Sequence, residues 1–300
     1  MNAQPTATGL SARDLAVAGV MNLMWGLNLI AVKMSVELVS PLTAAALRQI
    51  MVFLICLPAL KVVPGKMREL IGLGLLSGAL FYVLVNMSLA VADNVGALAI
   101  AGQLGVPFSL ILAVIFLGER IQKYRIAGMA LAFAGIALIA FDPAALHELP
   151  GIAFTAAASA VWAVSSLIQR RLKGVQVLTI YAWMGLVGCL ALAPLAALVE
   201  PQSVAALPAV PLSTLGWILF SALGSTVIGH GSMSWLLQRH QISAVVPLTL
   251  LAPVLSVLFG SLYFHQPLTP ILIVGGIVTM AGVAIVTFRT ARAKEAEGQA

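Results

Sequence analysis

The chain has 300 residues, of which 61% are apolar and only 9% charged, and its mean hydropathy is +1.06. A water-soluble domain carries about 25% charged residues, so this chain has too little polar side chain to cover a soluble body and reads as an all-α integral membrane protein. The net charge of +6 does not point to nucleic acid, because the basic residues stand singly or in threes between apolar runs.

The N-terminal Met1–Asp14 is short and polar, and the apolar run behind it continues too far for a signal-peptide core, so it is expected to be an uncleaved first helix. A bilayer-spanning helix needs about 20 apolar residues. Ten such runs follow one another, at roughly 15–36, 42–60, 70–91, 95–117, 124–141, 151–169, 176–198, 214–237, 243–264 and 270–288. The connections are short, so sequence neighbours should run antiparallel, and no segment is long enough for a soluble domain. Cys56 and Cys189 both fall inside spans and are expected to be small apolar residues rather than a disulfide framework.

Charge orients the spans. Arg13, Lys61, Lys66, Arg68, Arg120, Lys123, Arg125, Arg170, Arg171, Lys173, Arg239, Arg289, Arg292 and Lys294 lie in every second connection or at the tails; these are 14 of the 16 Lys and Arg. The alternate connections carry Glu37, Asp93, Asp142, Glu148 and Glu200 instead. The positive-inside rule then predicts that both termini are cytoplasmic.

The stretch Asn94–Phe141 returns without a gap 147 residues later as Gln241–Phe288, with Ser109 on Ser256, Gly128 on Gly275, Gly135 on Gly282 and Phe141 on Phe288. Five spans per half is an odd number, so the second copy enters the membrane from the opposite side. The expected architecture is ten transmembrane helices arranged as two inverted five-helix repeats, residues 1–145 and 146–288, followed by a cytoplasmic tail, 289–300. Many secondary transporters build two related gates around a midplane site in this way.

Polar groups at the bilayer midplane are costly and face a cavity or a partner helix. In chain order they are Asn22, Trp25 and Asn28 in span one; Tyr82 and Asn86 in span three; Gln103 in span four; Trp162 and Ser165 in span six; and Thr226 and His230 in span eight. Trp25-x-x-Asn28 and Trp162-x-x-Ser165 occupy comparable places in the two halves. A cavity lined by Trp25, Asn28, Tyr82, Asn86, Gln103, Trp162, Ser165 and His230 is the sharper reading, and ordinary interhelical hydrogen bonding is the plainer one. Tyr181, Trp183, Tyr263, Trp217 and Trp235 lie near span ends and fit the aromatic belt. Lys33 and Arg48 are the two cations away from the basic side. They form either a snorkelling group paired with Glu37, four residues after Lys33, or an outer gate of Lys33, Glu37 and Arg48. Pro107, Pro247 and Pro253 interrupt spans four and nine and are candidate hinges. All ten acids sit at span ends, in loops or in the tails, so the carboxylate relay of a proton-driven pump is missing and His230 is the one midplane group able to titrate near neutrality.

Other classes lack their chemistry. His147, His230, His240 and His265 are scattered, with no HExxH spacing, and no phosphate-binding loop is present, so neither a membrane metalloenzyme nor an ATP-driven pump is expected, and no cofactor or metal. A channel or structural membrane protein is a third class, against which the duplicated, inverted layout stands.

Several residues together carry a family likeness: Trp25-Gly26-Leu27-Asn28 with Lys33, Pro41 with Ala46-Leu47-Arg48, Pro107, Leu117-Gly118-Glu119, the Gly128 and Gly135 pair, and Pro253, Gly275 and Gly282. The chain resembles the drug/metabolite transporter superfamily in its EamA-type ten-helix branch over nearly its whole length. In the second hairpin the usual Leu-Gly-Glu is replaced by Phe264-His265-Gln266. The resemblance implies a bacterial inner-membrane transporter, an exporter of aromatic and other apolar amino acids. Its partners would be a small-molecule substrate and membrane lipid, with no nucleic acid and no obligate protein partner evident. The neutral polar set fits zwitterions better than phosphorylated sugars.

Overall fold

The computed structural model describes residues 10–117, 122–140, 147–237, 239–240 and 245–298, which form helices joined by short connections and contain no strand. Nine of the described helices are long and apolar enough to cross a bilayer: α1 (Ala12–Leu38), α2 (Pro41–Ala59), α3 (Met67–Val91), α4 (Val95–Phe116), α5 (Lys123–Ala140), α6 (Leu149–Gln169), α7 (Val177–Val199), α8 (Leu212–Leu236) and, last in the chain, α10 (Pro270–Phe288). Between the last two lies a shorter apolar helix, α9 (Leu248–Phe264). It falls in the ninth expected span, whose first residues, 243–244, lie outside the described ones. Gly118, Glu119 and Arg120 between the fourth and fifth expected spans, Phe141 and Gln241 also lie outside them. Leu198, Leu212, Leu262 and Phe116 are 70% exposed or more. In water such side chains would form an aggregating surface, whereas against acyl chains they cost nothing.

Helix ends follow local chemistry. A capping box starts α1: the Asp14 amide donates to Ser11 Oγ (3.2 Å) and the Ser11 amide donates to Asp14 Oδ2 (2.8 Å). The N-terminus of α2 takes its cap from elsewhere. Glu200, just past α7, accepts from the Thr43 amide (2.8 Å), the Leu42 amide (3.1 Å) and the Thr43 hydroxyl (2.7 Å). The end of α9 is strained. His265 stands at φ 53°, in the left-handed region, and is the one described non-glycine residue with positive φ. It occupies the place of the glycine in the Leu-Gly-Glu pattern, where a residue without Cβ fits best. His265→Gly is therefore expected to raise stability by about 1 kcal/mol, read as a higher Tm in detergent; an unchanged or lower Tm would show that the imidazole makes up for the strain.

Two kinds of irregularity break the helices. Proline explains the first. Its ring clashes with the carbonyl four residues back, which is Gln103 for Pro107 and Thr249 for Pro253. Each of these lies in a 3₁₀ turn, Gly102–Leu104 in α4 and Val246–Leu250 at the start of α9, the latter also containing Pro247. The second kind contains no proline and had no sequence signal: π-helical stretches at Gly74–Leu80 in α3 and Ser221–His230 in α8. Their first residues, Gly74 and Ser221, are separated by the same 147-residue interval as the repeated hairpins.

Packing depends on small residues. On α5 and α10 the four registered glycines face one another crosswise. A Cβ on Gly128 would lie 2.9 Å from the Gly282 carbonyl oxygen, and one on Gly135 would lie 2.6 Å from that of Gly275. The crossed order makes the two helices antiparallel. On α2 and α7, Gly185 lies against the Phe53 backbone and Gly188 against Gln49, also antiparallel. Outside these two pairs, α1 packs on α8 and α9, while α6 packs on α3 and α4. Close helix approach of this kind is what small residues permit in a membrane.

Candidate functional site

Six helices bring polar and aromatic side chains to one place, with α8 supplying the framework. Opening the hydrogen-bond ladder into a π stretch leaves backbone carbonyls free to accept from side chains. The Ser225 carbonyl accepts from Trp25 Nε1 of α1 (3.3 Å) and pairs with His230 Nδ1 (2.8 Å). A carbonyl can only accept, so Nδ1 carries the proton, and Nε2 of a neutral His230 is left as an acceptor. The imidazole is surrounded by rings: Trp25 at 5.2 Å edge-on, Tyr181 of α7 at 5.3 Å and Trp162 of α6 at 6.4 Å between centroids. Phe81 of α3 bridges Trp162 (5.5 Å) and Tyr82 (5.0 Å). The glycines beside them make room. A Cβ on Gly229 would sit 2.5 Å from Trp25 Nε1, and the Trp162 indole lies against Gly105. Trp25, Phe81, Trp162, Tyr181 and His230 are half-buried, so the cluster borders accessible space.

Behind the rings lies Arg48 of α2, only 3% exposed. Its Nε donates to Ser221 Oγ (2.9 Å) and its Nη2 to Thr226 Oγ1 (2.8 Å) and to the Ser221 carbonyl (3.4 Å). The guanidinium lies 3.7 Å from the centroid of the Tyr82 ring, a cation–π contact. Ser221 Oγ donates onward to Asn28 Oδ1 of α1 (2.8 Å). A cavity of about 10 Å³, the size of one water, lies beside the guanidinium and is lined by Val32, Ser35, Ala44, Arg48, Asn86, Ile218 and Ser221.

The EamA-like transporter family model matches this chain twice, at residues 15–141 and 149–288. The chain belongs to the EamA-like transporter family. It is a multi-pass membrane transporter and not an enzyme. Similar curated proteins include a "Probable amino-acid metabolite efflux pump" of Salmonella typhimurium (strain LT2), 26% identical over 94% of this chain and 99% of the relative. A protein of the same description from Escherichia coli (strain K12) is 23% identical over 93% and 96%. A "Probable terminal-alkyne amino-acid exporter" of Streptantibioticus cattleyicolor is 27% identical over 61% of each chain. A chain of known crystal structure shares the fold, with a TM-score of 0.62 at 20% identity, over 95% of this chain and 99% of that one.

Within this EamA-like chain the expected site residues divide. Trp25, Asn28, Tyr82, Trp162 and His230 converge as described. Asn86 borders the small cavity but gives its amide to the Pro41 carbonyl (3.0 Å), tying α3 to the start of α2. Gln103 is half-buried in the 3₁₀ turn before Pro107, and Ser165 is fully buried with its hydroxyl unpaired among the described residues; neither joins the ring cluster.

The outer group needs correction. Lys33 does not pair with Glu37. Its ammonium donates to the Ala92 carbonyl (2.6 Å) and the Leu89 carbonyl (3.0 Å), capping the C-terminal end of α3, where a helix dipole favours a cation. Glu37 is exposed and forms no ion pair among the described residues. Arg48 turns inward to α8, away from both, because buried hydroxyls and an aromatic face are available there. Tyr181 also differs from expectation: although it lies one turn into α7, it joins the rings around His230 rather than an interfacial belt. The other belt residues stay near helix ends, with Trp183 donating to the Lys61 carbonyl (2.9 Å) and Trp217 packed on Tyr263.

Sequence reasoning passed over Phe81, Ser221 and Ser225, and it noted Thr226 without giving it a role. A usable signal was the serine and threonine content of 221–226 inside an otherwise apolar span. One further group could suggest a metal: ligand atoms of Asp93, His147 and Glu148 lie within 4.8 Å of one another. Glu148 is already committed, accepting from the Asn94 amide (2.9 Å) and the Asp93 amide (3.1 Å) at the start of α4. Gln266 completes that cap, accepting from the Val95 amide (3.1 Å) and donating to the Asp93 carbonyl. An amide can do both, whereas the carboxylate usual at this place of the motif could only accept.

Proposed function

We propose that this protein exports amino acids, aromatic and other apolar ones, from the bacterial cytoplasm across the inner membrane. It works by alternating access between two five-helix halves, 1–145 and 146–288, of opposite orientation, with both termini cytoplasmic. The observation that carries this reading is the convergence of rings from both halves, Trp25, Phe81 and Tyr82 from the first and Trp162, Tyr181 and His230 from the second, on one half-buried, charge-poor centre. Such a surface suits an apolar side chain and an ammonium group.

The two-half arrangement is supported by the matching contacts. Exchanging α1 with α6, α2 with α7, α3 with α8, α4 with α9 and α5 with α10 turns α1–α8 and α1–α9 into α6–α3 and α6–α4, and leaves α2–α7 and α5–α10 as they are. The charge pattern and the π stretches at the same interval support it as well. The names of the relatives favour amino acids. Other metabolites or drugs of the superfamily are the second reading, favoured only by how little of the central surface is polar.

Coupling follows from the acids. Among the described residues Asp14, Glu37, Glu69, Asp93, Glu148 and Glu200 stand at helix ends or in connections, and none faces the ring cluster. Flux is therefore expected to be facilitative, or coupled through His230 or Glu37. In liposomes, amino-acid flux without a pH gradient should equal flux with one, and His230→Gln should leave that equality intact. A several-fold stimulation by the gradient in the wild type, abolished in His230→Gln, would make His230 the coupling group. Expression in a strain exposed to toxic amino-acid analogues should raise its resistance, and unchanged resistance across a broad analogue set would count against amino-acid export.

A further inference from the structure

We infer that Arg48 is the receptor for the substrate's carboxylate, and that capture of the carboxylate releases α8 from α2. This rests on the amino-acid reading above. A guanidinium is always charged, and burying a charge is costly unless an opposite charge or several hydrogen bonds meet it. Arg48 is 3% exposed, yet its partners are all neutral: the Ser221 hydroxyl and carbonyl, the Thr226 hydroxyl and the Tyr82 ring. Among the described residues the carboxylate ion pairs are His147–Glu148 and His240–Asp14, neither of them on Arg48. A cation satisfied only by exchangeable neutral groups is one that a carboxylate, binding through two parallel hydrogen bonds, can take from them.

The position is also right for this task. Arg48 holds Tyr82, and Tyr82 touches Phe81, which touches Trp162 of the ring cluster. A carboxylate on Arg48 thus leaves the rest of an amino acid facing the rings. The contacts to be broken are the ones that close the structure. Ser221, the first residue of the π stretch, holds Arg48 of α2 and Asn28 of α1 together, and Thr226 adds a second link one turn on. The neighbouring cavity has room for about one water, so a carboxylate can enter only as these links part. Ground-state hydrogen bonds to neutral hydroxyls are exchanged for a charged pair, and the difference between the two shifts the conformational equilibrium.

The experiment uses purified full-length protein in liposomes, with L-phenylalanine and its decarboxylated counterpart 2-phenylethylamine as probes. Arg48→Gln is expected to reduce phenylalanine flux about 100-fold, the 2–3 kcal/mol of a charged bidentate hydrogen bond, while the amine, which has no carboxylate to part the α2–α8 links, should move slowly in the wild type and change less than about threefold in the variant, and Arg48→Lys should fall between. Equal loss of both probes from a folded variant would make Arg48 a structural clamp and overturn the proposal, as would unchanged phenylalanine flux. A wild type that moves neither probe would instead sink the amino-acid reading. Should Arg48→Gln fail to fold, Ser221→Ala decides. Freed from a competing hydroxyl, Arg48 should bind phenylalanine several-fold more tightly, with amine binding unchanged; an affinity change of the same size for both probes, or none for either, would overturn the proposal.

Discussion

Gly229→Val is expected to abolish most transport while leaving the protein folded in the membrane. A Cβ at this position would lie 2.5 Å from Trp25 Nε1 and 2.8 Å from its Cδ1, and 3.4 Å from the Gly224 carbonyl oxygen. Gly229 lies in the π stretch of α8 and its φ is not positive, so the glycine is there for space and not for a left-handed conformation. The indole is rigid and cannot yield by rotating a single terminal bond. It must leave the Ser225 carbonyl and move off the His230 ring, which removes one wall of the proposed site. Losing one aromatic stacking partner is worth about 1 kcal/mol and the Trp25 hydrogen bond about as much again, together a fall of roughly 30-fold in flux, with Gly229→Ala showing a smaller loss. Trp25→Phe on the Gly229→Ala background should recover part of the activity, because the smaller ring vacates the contested space and contacting residues couple in double-mutant cycles. Wild-type flux in a Gly229→Val protein shown to be folded would mean that Trp25 is not a wall of the substrate path.

The largest effect on stability is expected at the α5–α10 contact. Gly135→Val would bring a Cβ to 2.5 Å from the Thr279 amide nitrogen and 2.6 Å from the Gly275 carbonyl oxygen. Both are backbone atoms within a helix, so relief requires the two helices to separate along their length. Overpacking of this kind costs about 3 kcal/mol, and the reciprocal substitution Gly275→Val, against the Gly135 carbonyl and Ile139, should cost a similar amount. Unfolding in detergent should show a Tm lower by several degrees for either variant. Gly72→Ala is the control, since nothing lies within 4 Å of the added atom. Equal Tm values for Gly135→Val and Gly72→Ala would show that the close approach of α5 and α10 does not hold the protein together. Because the contact joins one helix from each half, Gly135→Val should also slow flux by more than its effect on abundance explains.

Much of the architecture is legible in the sequence. Hydropathy alone located the nine helices long enough to cross and the shorter apolar helix that falls in the ninth expected span, because length and apolarity are requirements of the bilayer and do not depend on what packs against what. That Pro107 and Pro253 interrupt their helices was legible for a similar reason, as proline acts on its own helix, though the 3₁₀ form of the interruption was not. The registered glycines were correctly read as packing residues, although their crosswise pairing was not visible.

The site was legible in its composition and not in its assembly. Helical spacing fixes which residues of one helix share a face, and that was enough to select Trp25, Asn28, Tyr82, Trp162 and His230. It carries no information on how each helix is rotated against its neighbours. That rotation sends Lys33 to the end of α3 and away from Glu37, turns Arg48 inward to Ser221 and Thr226, and brings Tyr181 into the rings. The π stretch of α8 belongs to the same category, since a change in the hydrogen-bond ladder without proline leaves no local mark.

The sequence by itself thus determined a charge-poor, all-helical membrane protein, its spans and some of the side chains that meet at its centre, because those depend on the solvent and on each helix alone. The tertiary structure decided which of the polar groups meet, and above all that the buried cation Arg48 faces neutral partners on α8, because that depends on interhelical packing through small residues that no single helix specifies.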